Sequence, residues 1–400
     1  MAKYNLTTAT DLFKIKYGKL SDNVYNSANV LLGRVKKSYG FTGKRMDVAV
    51  PLSFSGGVGS GSLPTANAAS YDDAEITAKK MYAVCEIDRE TIKAAENDEG
   101  AFVRMTKHVV QKTVESWMRN HSRALWNDGS GALGQFSGSA SGTATAPVLT
   151  ILNSGTYKFL EANFEEKDYV NVNSLASVFE VVSVVPATRT VTLSRISGSD
   201  DLTGIGAGTH TVYMQNSKDN DPTGFRKVLY ATSGSLYGVP VARRWQSFQK
   251  DAASGGLTVD LMNEVMLGVE KQSGKVPKMI VTSYTQLRKL LNLIEDQKQY
   301  NLDPRSSDLK GKLSFRGIEF MSSMGAIPVF ADRFAQGSEM LFLNDDYIET
   351  HHRPGFGWFD DDGTVFLRSS TEDAYGARYG GYLENYIVPS FQGVLYGLAE

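Results

Sequence analysis

The chain has a single cysteine among its 400 residues, Cys85. One thiol excludes an internal disulfide and a zinc site built from several thiolates, which fits a chain that folds in a reducing compartment. No run of about 18 apolar residues occurs, and the opening residues MAKYNLTTATDLFKIK lack the apolar stretch of a signal peptide. The sequence therefore predicts a protein that neither spans a membrane nor is exported through such a signal.

The sequence also lacks the common catalytic motifs. There is no G-x-S-x-G, no H-E-x-x-H and no C-x-x-C, so we expect no enzyme, no catalytic residues and no cofactor. The remaining candidate is His351 and His352 near Asp360, Asp361 and Asp362, because imidazoles and carboxylates can hold a divalent ion. Their spacing matches no known metal loop, and DDDG more simply forms a turn. We therefore predict no metal site, and a metal-dependent hydrolase using these residues is an alternative.

Charge is nearly balanced overall but unevenly distributed. Residues 1–50 hold nine Lys and Arg against three Asp (+6), whereas residues 341–400 hold ten Asp and Glu against three Arg (−7). A net charge of −2 argues against a protein whose main function is to bind phosphate groups. The asymmetry suggests that the basic leading segment of one copy meets an acidic surface of another, the alternative being two separately solvated stretches.

The leading segment, residues 1–45, mixes short apolar groups with Lys, Asn and Gly without a sustained period. This pattern predicts an extended arm with one or two short helices. Such an arm cannot bury its apolar side chains alone, so we expect it to lie across another surface. The arm residues expected to take part in assembly are Phe13, Lys14, Lys16 and Lys19.

Two strand-like runs follow, Met46–Phe54 and Ala74–Cys85, separated by the stretch SGGVGSGSLPTANAAS. The pattern predicts a long two-stranded loop that projects from a body. Its expected assembly residues are at the flexible tip: Gly56, Gly57, Gly59, Gly61 and Pro64. A hairpin alone is marginally stable in water, so this loop also requires a neighbouring surface.

A helical pattern extends from Asn97 to about Asn127. Apolar residues recur there at spacings of three and four, which predicts a helix of roughly 25–30 residues, some 40 Å long. The expected core face comprises Phe102, Met105, Val109, Trp117 and Leu125. On the same stripe, we expect His121 to be packed and hydrogen-bonded and not a metal ligand.

The rest of the chain predicts a β-rich insertion followed by an α/β unit. Residues 129–146, rich in Gly, Ser, Ala and Thr, are predicted to be a linker. Insertion strands are predicted at Tyr169–Val172, Val178–Val185, Thr190–Ile196 and Thr211–Met214, forming a small barrel or sandwich. Later helices are predicted at Val259–Lys271 and Tyr284–Gln297, and strands at Lys278–Thr282, Ile318–Met321, Ile327–Ala331, Met340–Asn344, Thr364–Ser370 and Tyr382–Tyr396.

Taken in order, these elements resemble the major capsid proteins of tailed phages, which have the Hong Kong 97-type fold. MDVAVPLSFSGGVGSGSLPTANAASYDDAEITAKKMYAVCEIDRETIKAA looks like the extended loop of that family, and AFVRMTKHVVQKTVESWMRNHSRALWNDGSG looks like its spine helix. DYVNVN, VFEVVSVVPATRTVTLS and DPTGFRKVLYATSGSLYGV are similar to the β-rich insertion of one subgroup and the return from it. The resemblance covers essentially all 400 residues.

The resemblance implies an α+β fold with an N-terminal arm, an extended β-hairpin loop, a long spine helix, an α/β axial domain and a small β-rich insertion. The expected segments are 1–45 for the arm, 46–88 for the extended loop, 89–147 for the peripheral domain with the spine helix, 148–217 for the insertion, 218–345 for the axial domain and 346–400 for the return to the peripheral domain.

The resemblance also implies a function. Copies of the chain would form pentamers and hexamers that close into an icosahedral head around phage double-stranded DNA, with extended loops and arms overlapping neighbours. We expect synthesis in the bacterial cytoplasm, a place in the virion, a portal, no membrane and no sequence-specific DNA binding. Because the arm begins at Met1, a separate scaffolding protein is expected. The other alternative is a tail-tube subunit or adhesin, which would need neither the long helix nor the α/β unit.

Overall fold

A computed structural model describes ten stretches of the chain: residues 31–53, 70–89, 99–173, 175–242, 244–297, 318–322, 325–360, 363, 365–368 and 373–400. These stretches form two compact units. The first consists of the described parts of Met1–Val48, Asp73–Phe225 and Glu349–Tyr386, and the second of those of Ala49–Asp72, Arg226–Ile348 and Ile387–Glu400.

Helices and strands are grouped unevenly along the chain, with long runs of strands, as is typical of an α+β protein. The helices are α1 Glu99–Trp126, α2 Phe225–Leu229, α3 Val259–Ser273 and α4 Tyr284–Gln297, with single 3-10 turns at Glu161–Asn163, Asp345–Tyr347 and Pro389–Phe391. The strands are β1 Lys36–Ser38, β2 Arg45–Ser53, β3 Ser70–Thr77, β4 Lys79–Asp88, β5 Ala132–Ser137, β6 Ser141–Gly142, β7 Pro147–Thr150, β8 Tyr169–Val172, β9 Val178–Val185, β10 Thr190–Ser197, β11 Thr209–Met214, β12 Ser235–Leu236, β13 Val239–Pro240, β14 Phe248–Asp251, β15 Met279–Thr282, β16 Ile318–Ser322, β17 Gly325–Ala331, β18 Met340–Leu343, β19 Ile348–His352, β20 Gly357–Trp358, β21 Leu367–Arg368, β22 Ala374–Ile387 and β23 Gly393–Tyr396.

The first unit is built around a sheet whose longest strand is β22. In the described residues this sheet has the order β1-β19-β22-β20, and β4 and β21 also pair with β22. The helix α1 packs against β4, which confirms the predicted spine helix to within two residues at either end. One apolar face of the sheet is thereby buried under the long helix.

The second strand predicted for the hairpin, Ala74–Cys85, is part of two separate strands in the structure. It breaks at Ala78: β3 pairs with β2, whereas β4 pairs antiparallel with β22 over ten residue pairs from Lys79 to Asp88. The prediction of one strand over Ala74–Cys85 is wrong in this respect. The more buried residues are even-numbered in β3 and odd-numbered in β4, so the alternation shifts by one residue where the partner changes.

The end of the predicted arm belongs to the first unit. Leu31, Leu32 and Phe41 are fully buried within this single chain, and β1 pairs in parallel with β19. The prediction that residues 1–45 bury their apolar groups only on another surface is therefore wrong for residues 31–45. The strand that pairs with β1 lies more than 300 residues further along the chain, which local sequence does not show.

The β-rich insertion is a closed barrel. Its strands follow the order β5-β11-β8-β9-β10-β7-β6, and a bridge between Phe136 and Ile151 joins the end of β7 back to β5. All four predicted insertion strands are confirmed to within two residues at each end. Buried side chains fill the interior, and closure leaves few open strand edges.

Part of the predicted linker is a barrel strand. β5 lies inside residues 129–146, so the prediction of a linker there is wrong for Ala132–Ser137. Gly134 explains the misleading composition: a Cβ at this position would lie 2.8 Å from Ile151 Cγ2 and 3.2 Å from the Phe164 ring. Here glycine allows close packing in a core and does not indicate a flexible segment.

The second unit is an α/β layer structure. Its sheet, within the described residues, has the order β14-β23-β18-β15-β17-β16, with α3 and α4 contributing to the same apolar core. The Thr258 side chain caps α3 by accepting a hydrogen bond from the Leu261 N–H at 3.2 Å, and Gly274 ends the helix at φ +70°. The last part of the segment 346–400, Ile387–Glu400, belongs to this second unit, where β23 pairs with β14 and β18.

Gly134→Ala should destabilise the barrel, because the added methyl group must displace Ile151 or Phe164. We expect the free energy of opening of the barrel strands to fall by about 1–3 kcal/mol, measured by native-state hydrogen exchange. Gly204→Ala is the matched control, since the nearest heavy atom to its Cβ is 3.8 Å away. Equal exchange in the two variants would contradict the assignment of Gly134 to a packed core.

Candidate assembly surface

The hairpin formed by β2 and β3 has an acidic surface. Its described arms, Arg45–Ser53 and Ser70–Thr77, contain one Arg and four acidic residues, a net charge of −3. Arg45 Nε lies 2.7 Å from Asp47 Oδ1 on the same strand, and Arg45 Nη1 lies 2.7 Å from Glu75 Oε1. The contact with Glu75 joins the two strands at the base of the hairpin. Such exposed pairs contribute little stability, so the charge pattern is better suited to recognition than to folding.

The predicted assembly residues of the tip and the arm lie outside the described residues. These are Gly56, Gly57, Gly59, Gly61 and Pro64 in the tip, and Phe13, Lys14, Lys16 and Lys19 in the arm. Their roles remain predictions.

Three members of the predicted core face of α1 have described side chains. Trp117 and Leu125 are fully buried, and Val109 packs beside the cluster that contains Cys85 and Val110. The Trp117 indole N–H donates to the Met81 carbonyl oxygen at 3.3 Å, joining α1 to β4. The side chains of Phe102 and Met105 lie outside the described residues.

His121 is packed and hydrogen-bonded, as expected. It is fully buried on α1, 5.1 Å from the Trp117 ring, with Nε2 3.4 Å from Asn385 Oδ1. Burial lowers the pKa of His121 to about 4, against the effect of the Asn385 contact. The imidazole is therefore neutral near pH 7, where it holds α1 to β22.

The two adjacent histidines have an aromatic environment. His352 lies 4.5 Å from the Phe356 ring and stacks on Tyr39 at 5.2 Å. Burial lowers the pKa of His352 to about 3 and also lowers that of His351. Asp361 and Asp362 lie outside the described residues, and the described part of the chain contains no group of three His, Cys, Asp or Glu that could hold a metal ion.

The sheet of the first unit carries a group of exposed and half-buried cations and aromatic rings, which we call the cationic face. It comprises Lys80, Tyr82, Arg353, Phe359, Arg378 and Tyr382. Lys80 Nζ lies 6.0 Å from the centre of the Tyr382 ring, and the Arg353 guanidinium lies 5.4 Å from the same centre. The Tyr82 ring lies 5.5 Å from that of Phe359. Tyr and Arg are the residues that most often dominate protein–protein interfaces.

The charge of this face comes from its three basic residues. Burial, followed by the hydrogen bond to Tyr382, raises the pKa of Tyr82 to about 12, so the phenol is neutral near pH 7. Val84, opposite Arg378 in the strand register, is 59% exposed and extends the apolar part of the face. Glu86 and Asp88 lie further along β4 and limit the cationic region on that side.

Sequence reasoning did not find the cationic face. Its members come from β4, β22 and the segment around β20, which are far apart in the chain and adjacent only after β4 pairs with β22. The local signal was the alternation of Lys80, Tyr82 and Val84 on one side of β4. That alternation indicates an exposed strand face, but not its neighbours.

None of the helices among the described residues combines the length and apolarity needed to cross a membrane. The family described as "SU10 major capsid protein" matches residues 64–352 of the chain. A comparison with curated proteins finds no match.

The chain is similar to several solved capsid structures. The "Cyanophage A-1(L) capsid asymmetric unit" is similar with a TM-score of 0.55 and 11% identity, covering 92% of this chain and 93% of that one. The capsid of a native GTA particle has a TM-score of 0.46 at 11% identity, covering 91% and 89%. The procapsid of satellite phage P4, which includes the size determination (Sid) protein, has a TM-score of 0.43 at 7% identity, covering 100% and 98%. The cyanophage likeness confirms the predicted α+β capsid fold.

The buried histidines should make the first unit acid-sensitive. His121 and His352 titrate near 6.5 when unfolded and at about 4 and about 3 when folded, so the unfolded chain binds more protons as pH falls below 6.5. Stability should therefore decrease below pH 6.5, by roughly 3 kcal/mol for His121 alone. His352→Phe, which keeps the aromatic packing, should reduce the slope of unfolding free energy against pH between 4 and 6.5. An unchanged slope, in urea titrations with pH 8 as the reference, would contradict this assignment.

Proposed function

The chain belongs to the SU10 major capsid protein family, and from this premise we propose that its copies form pentamers and hexamers that close into the icosahedral head of a tailed phage. The family membership is the single observation that carries this function. The head encloses double-stranded DNA without reading its sequence. The protein acts as a structural component of the virion and not as an enzyme, and it is made in the bacterial cytoplasm.

The acidic hairpin supports assembly through neighbouring copies. Two strands alone bury too little surface to be stable in water, and β2 and β3 form a separate two-stranded sheet in the described residues. Asp73 and Glu75 are exposed on β3. We infer that the hairpin of one copy lies against an adjoining copy, where its strands gain contacts and its charges gain partners.

The cationic face is the complementary surface that we propose for this contact. Its three positive charges oppose the net charge of −3 on the described hairpin arms, and its aromatic rings supply apolar area that a neighbour would bury. Electrostatic complementarity of this kind selects the partner and the register more than it adds affinity. The same surfaces on every copy would make the contact head-to-tail, as a closed ring requires.

The described residues of the arm have a different role from the arm residues that precede them. Residues 31–45 are part of the first unit, so an overlap with neighbours would involve the earlier residues, including Lys14, Lys16 and Lys19. We propose that this basic segment reaches a neighbouring copy. Several modest contacts made at once would then hold each subunit in the shell by avidity.

A separate scaffolding protein and a portal are the further partners that we propose. A tail-tube subunit or adhesin is not favoured, because the family match and the capsid fold include the long helix and the α/β unit. A hydrolase using His351 and His352 is not favoured either, because both imidazoles are buried among aromatic rings. Substituting both histidines should leave shell assembly intact.

Shortening the loop around Gly56–Gly61, or deleting residues 1–30, should leave a folded subunit that does not form normal shells. The reason is that each segment is proposed to contact neighbours and not its own body. Circular dichroism checks the fold, and electron micrographs of the purified variants check the particles. Normal shells from either variant would show that the proposed role of that segment is wrong.

Charge reversal tests the proposed contact between the hairpin and the cationic face. Lys80→Glu with Arg378→Glu, or Asp72→Lys with Asp73→Lys, should each lower the yield of shells roughly tenfold or more, because like charges then meet. Mixing the two reversed chains should restore mixed assembly, measured by sedimentation and electron microscopy.

Lys275→Glu is the matched control, since it reverses an exposed positive charge that belongs to the second unit, whereas the cationic face belongs to the first. It should assemble as the unaltered chain does. Assembly of both reversed chains at the control level, or failure of the mixture to assemble when each chain is folded, would contradict this docking.

A further inference from the structure

The chain returns from the barrel to the body of the first unit through residues 221–225, which we call the return segment. Gly224 in this segment lies against the C-terminal end of α1, so closely that a Cβ there would overlap the carbonyl oxygens of Ala124 and Asn127. Asp221 lies 3.4 Å from Arg123, near the end of the same helix. The return segment therefore covers the carbonyl end of α1, where unpaired acceptors need partners.

Two neighbouring side chains of β22 hold the Thr223 residue from both sides. Glu384 Oε1 accepts a hydrogen bond from the Thr223 N–H at 2.6 Å, and Asn385 Nδ2 donates to the Thr223 carbonyl oxygen at 2.9 Å. Asn385 Oδ1 in turn accepts from Thr350 Oγ1 at 2.8 Å. Glu384 is 3% exposed and Asn385 is fully buried, so this clamp is closed to water.

The charges around Glu384 do not neutralise it by direct pairing. From β4, Lys79 directs its ammonium group to the Asp219 carbonyl oxygen at 3.0 Å. On α1, His121 contacts the neighbouring Asn385 and is neutral near pH 7. On the return segment, Asp221 is engaged with Arg123 and Ser217.

Burial is the main influence on this carboxyl. It raises the pKa of Glu384 to about 7, against hydrogen bonds from Thr223 and Asn385 and the charge of Lys79, which lower it. A buried carboxyl of this kind changes its charge within the pH range in which proteins operate.

We propose that Glu384 and Asn385 form a proton-sensitive latch on the return segment. When Glu384 is protonated, the latch is closed and the return segment is held against the sheet and the end of α1. With Glu384 ionised the buried charge favours opening, which frees residues 221–225 to move with the barrel. The latch is a property of the single chain and is independent of the proposed shell.

The direction of the pH dependence follows from the difference in the pKa of Glu384 between the closed and the open latch. When the segment opens, water reaches Glu384 and its pKa returns towards 4.5, so between 4.5 and about 7 the closed state binds more protons than the open one. Closure is therefore strongest below pH 4.5 and weakens as pH rises towards 7. The full effect is about 300-fold in the opening equilibrium, the ratio that corresponds to the difference between those two values.

Hydrogen exchange of the full-length chain between pH 5 and 8, corrected for intrinsic rates, tests the latch. Peptides covering residues 219–225 should lose protection by up to about 100-fold across this range, while peptides from the middle of α1, residues 110–118, should not. In Glu384→Gln, which keeps a neutral acceptor for the Thr223 N–H, the pH dependence should disappear. Glu349→Gln, an acid on the neighbouring β19, is the control and should behave as the unaltered chain.

Three results would overturn the latch: protection of 219–225 that is constant with pH in the unaltered chain, an equal loss in the α1 peptides, or an undiminished pH dependence in Glu384→Gln. The first two need no substitution, so the proposal can be rejected even if Glu384→Gln does not fold.

Discussion

The pairing of β4 with β22 is the constraint on which the rest of the first unit depends. Ten residue pairs join strands separated by almost 300 residues of chain, from Lys79 opposite Leu383 to Asp88 opposite Ala374. This pairing provides the surface on which α1 packs through Trp117. It also creates the cationic face, and β22 carries the Glu384 and Asn385 side chains that hold the return from the barrel. Pairing strands this far apart in the chain costs loop-closure entropy, so we expect its many dependent contacts to form cooperatively.

The barrel and the β2–β3 hairpin differ in how far they bury their own apolar and backbone groups. The barrel closes on itself through the bridge between Phe136 and Ile151, and its own side chains fill its interior. The β2–β3 hairpin has only two strands in the described residues. Within a capsid family, this contrast separates a self-sufficient module from a segment suited to completion by adjoining copies. The stability of the subunit and the stability of the shell would thus depend on different parts of the chain.

The sequence predicted the elements whose signals are local. The spacing of Trp117 and Leu125 identified α1 because a helix places every third or fourth residue on one face. Alternation identified the barrel strands for the same kind of reason. Prediction failed where a distant partner decided the outcome: β1 at the end of the arm pairs with β19, Ala78 separates strands with different partners, and Gly134 serves packing instead of flexibility. The cationic face was missed because Lys80 and Arg378 become neighbours only after long-range pairing, whereas the predicted tip and arm residues lie outside the described residues.

The central claim is that copies of this chain complete one another in a closed shell. The most direct measurement is the mass distribution of the purified, unaltered protein as its concentration is raised, by analytical ultracentrifugation or native mass spectrometry. The account predicts discrete rings of five and six subunits and, at higher concentration, closed particles of uniform size. A species that remains a monomer at every concentration, or that grows into open tubes, would contradict it.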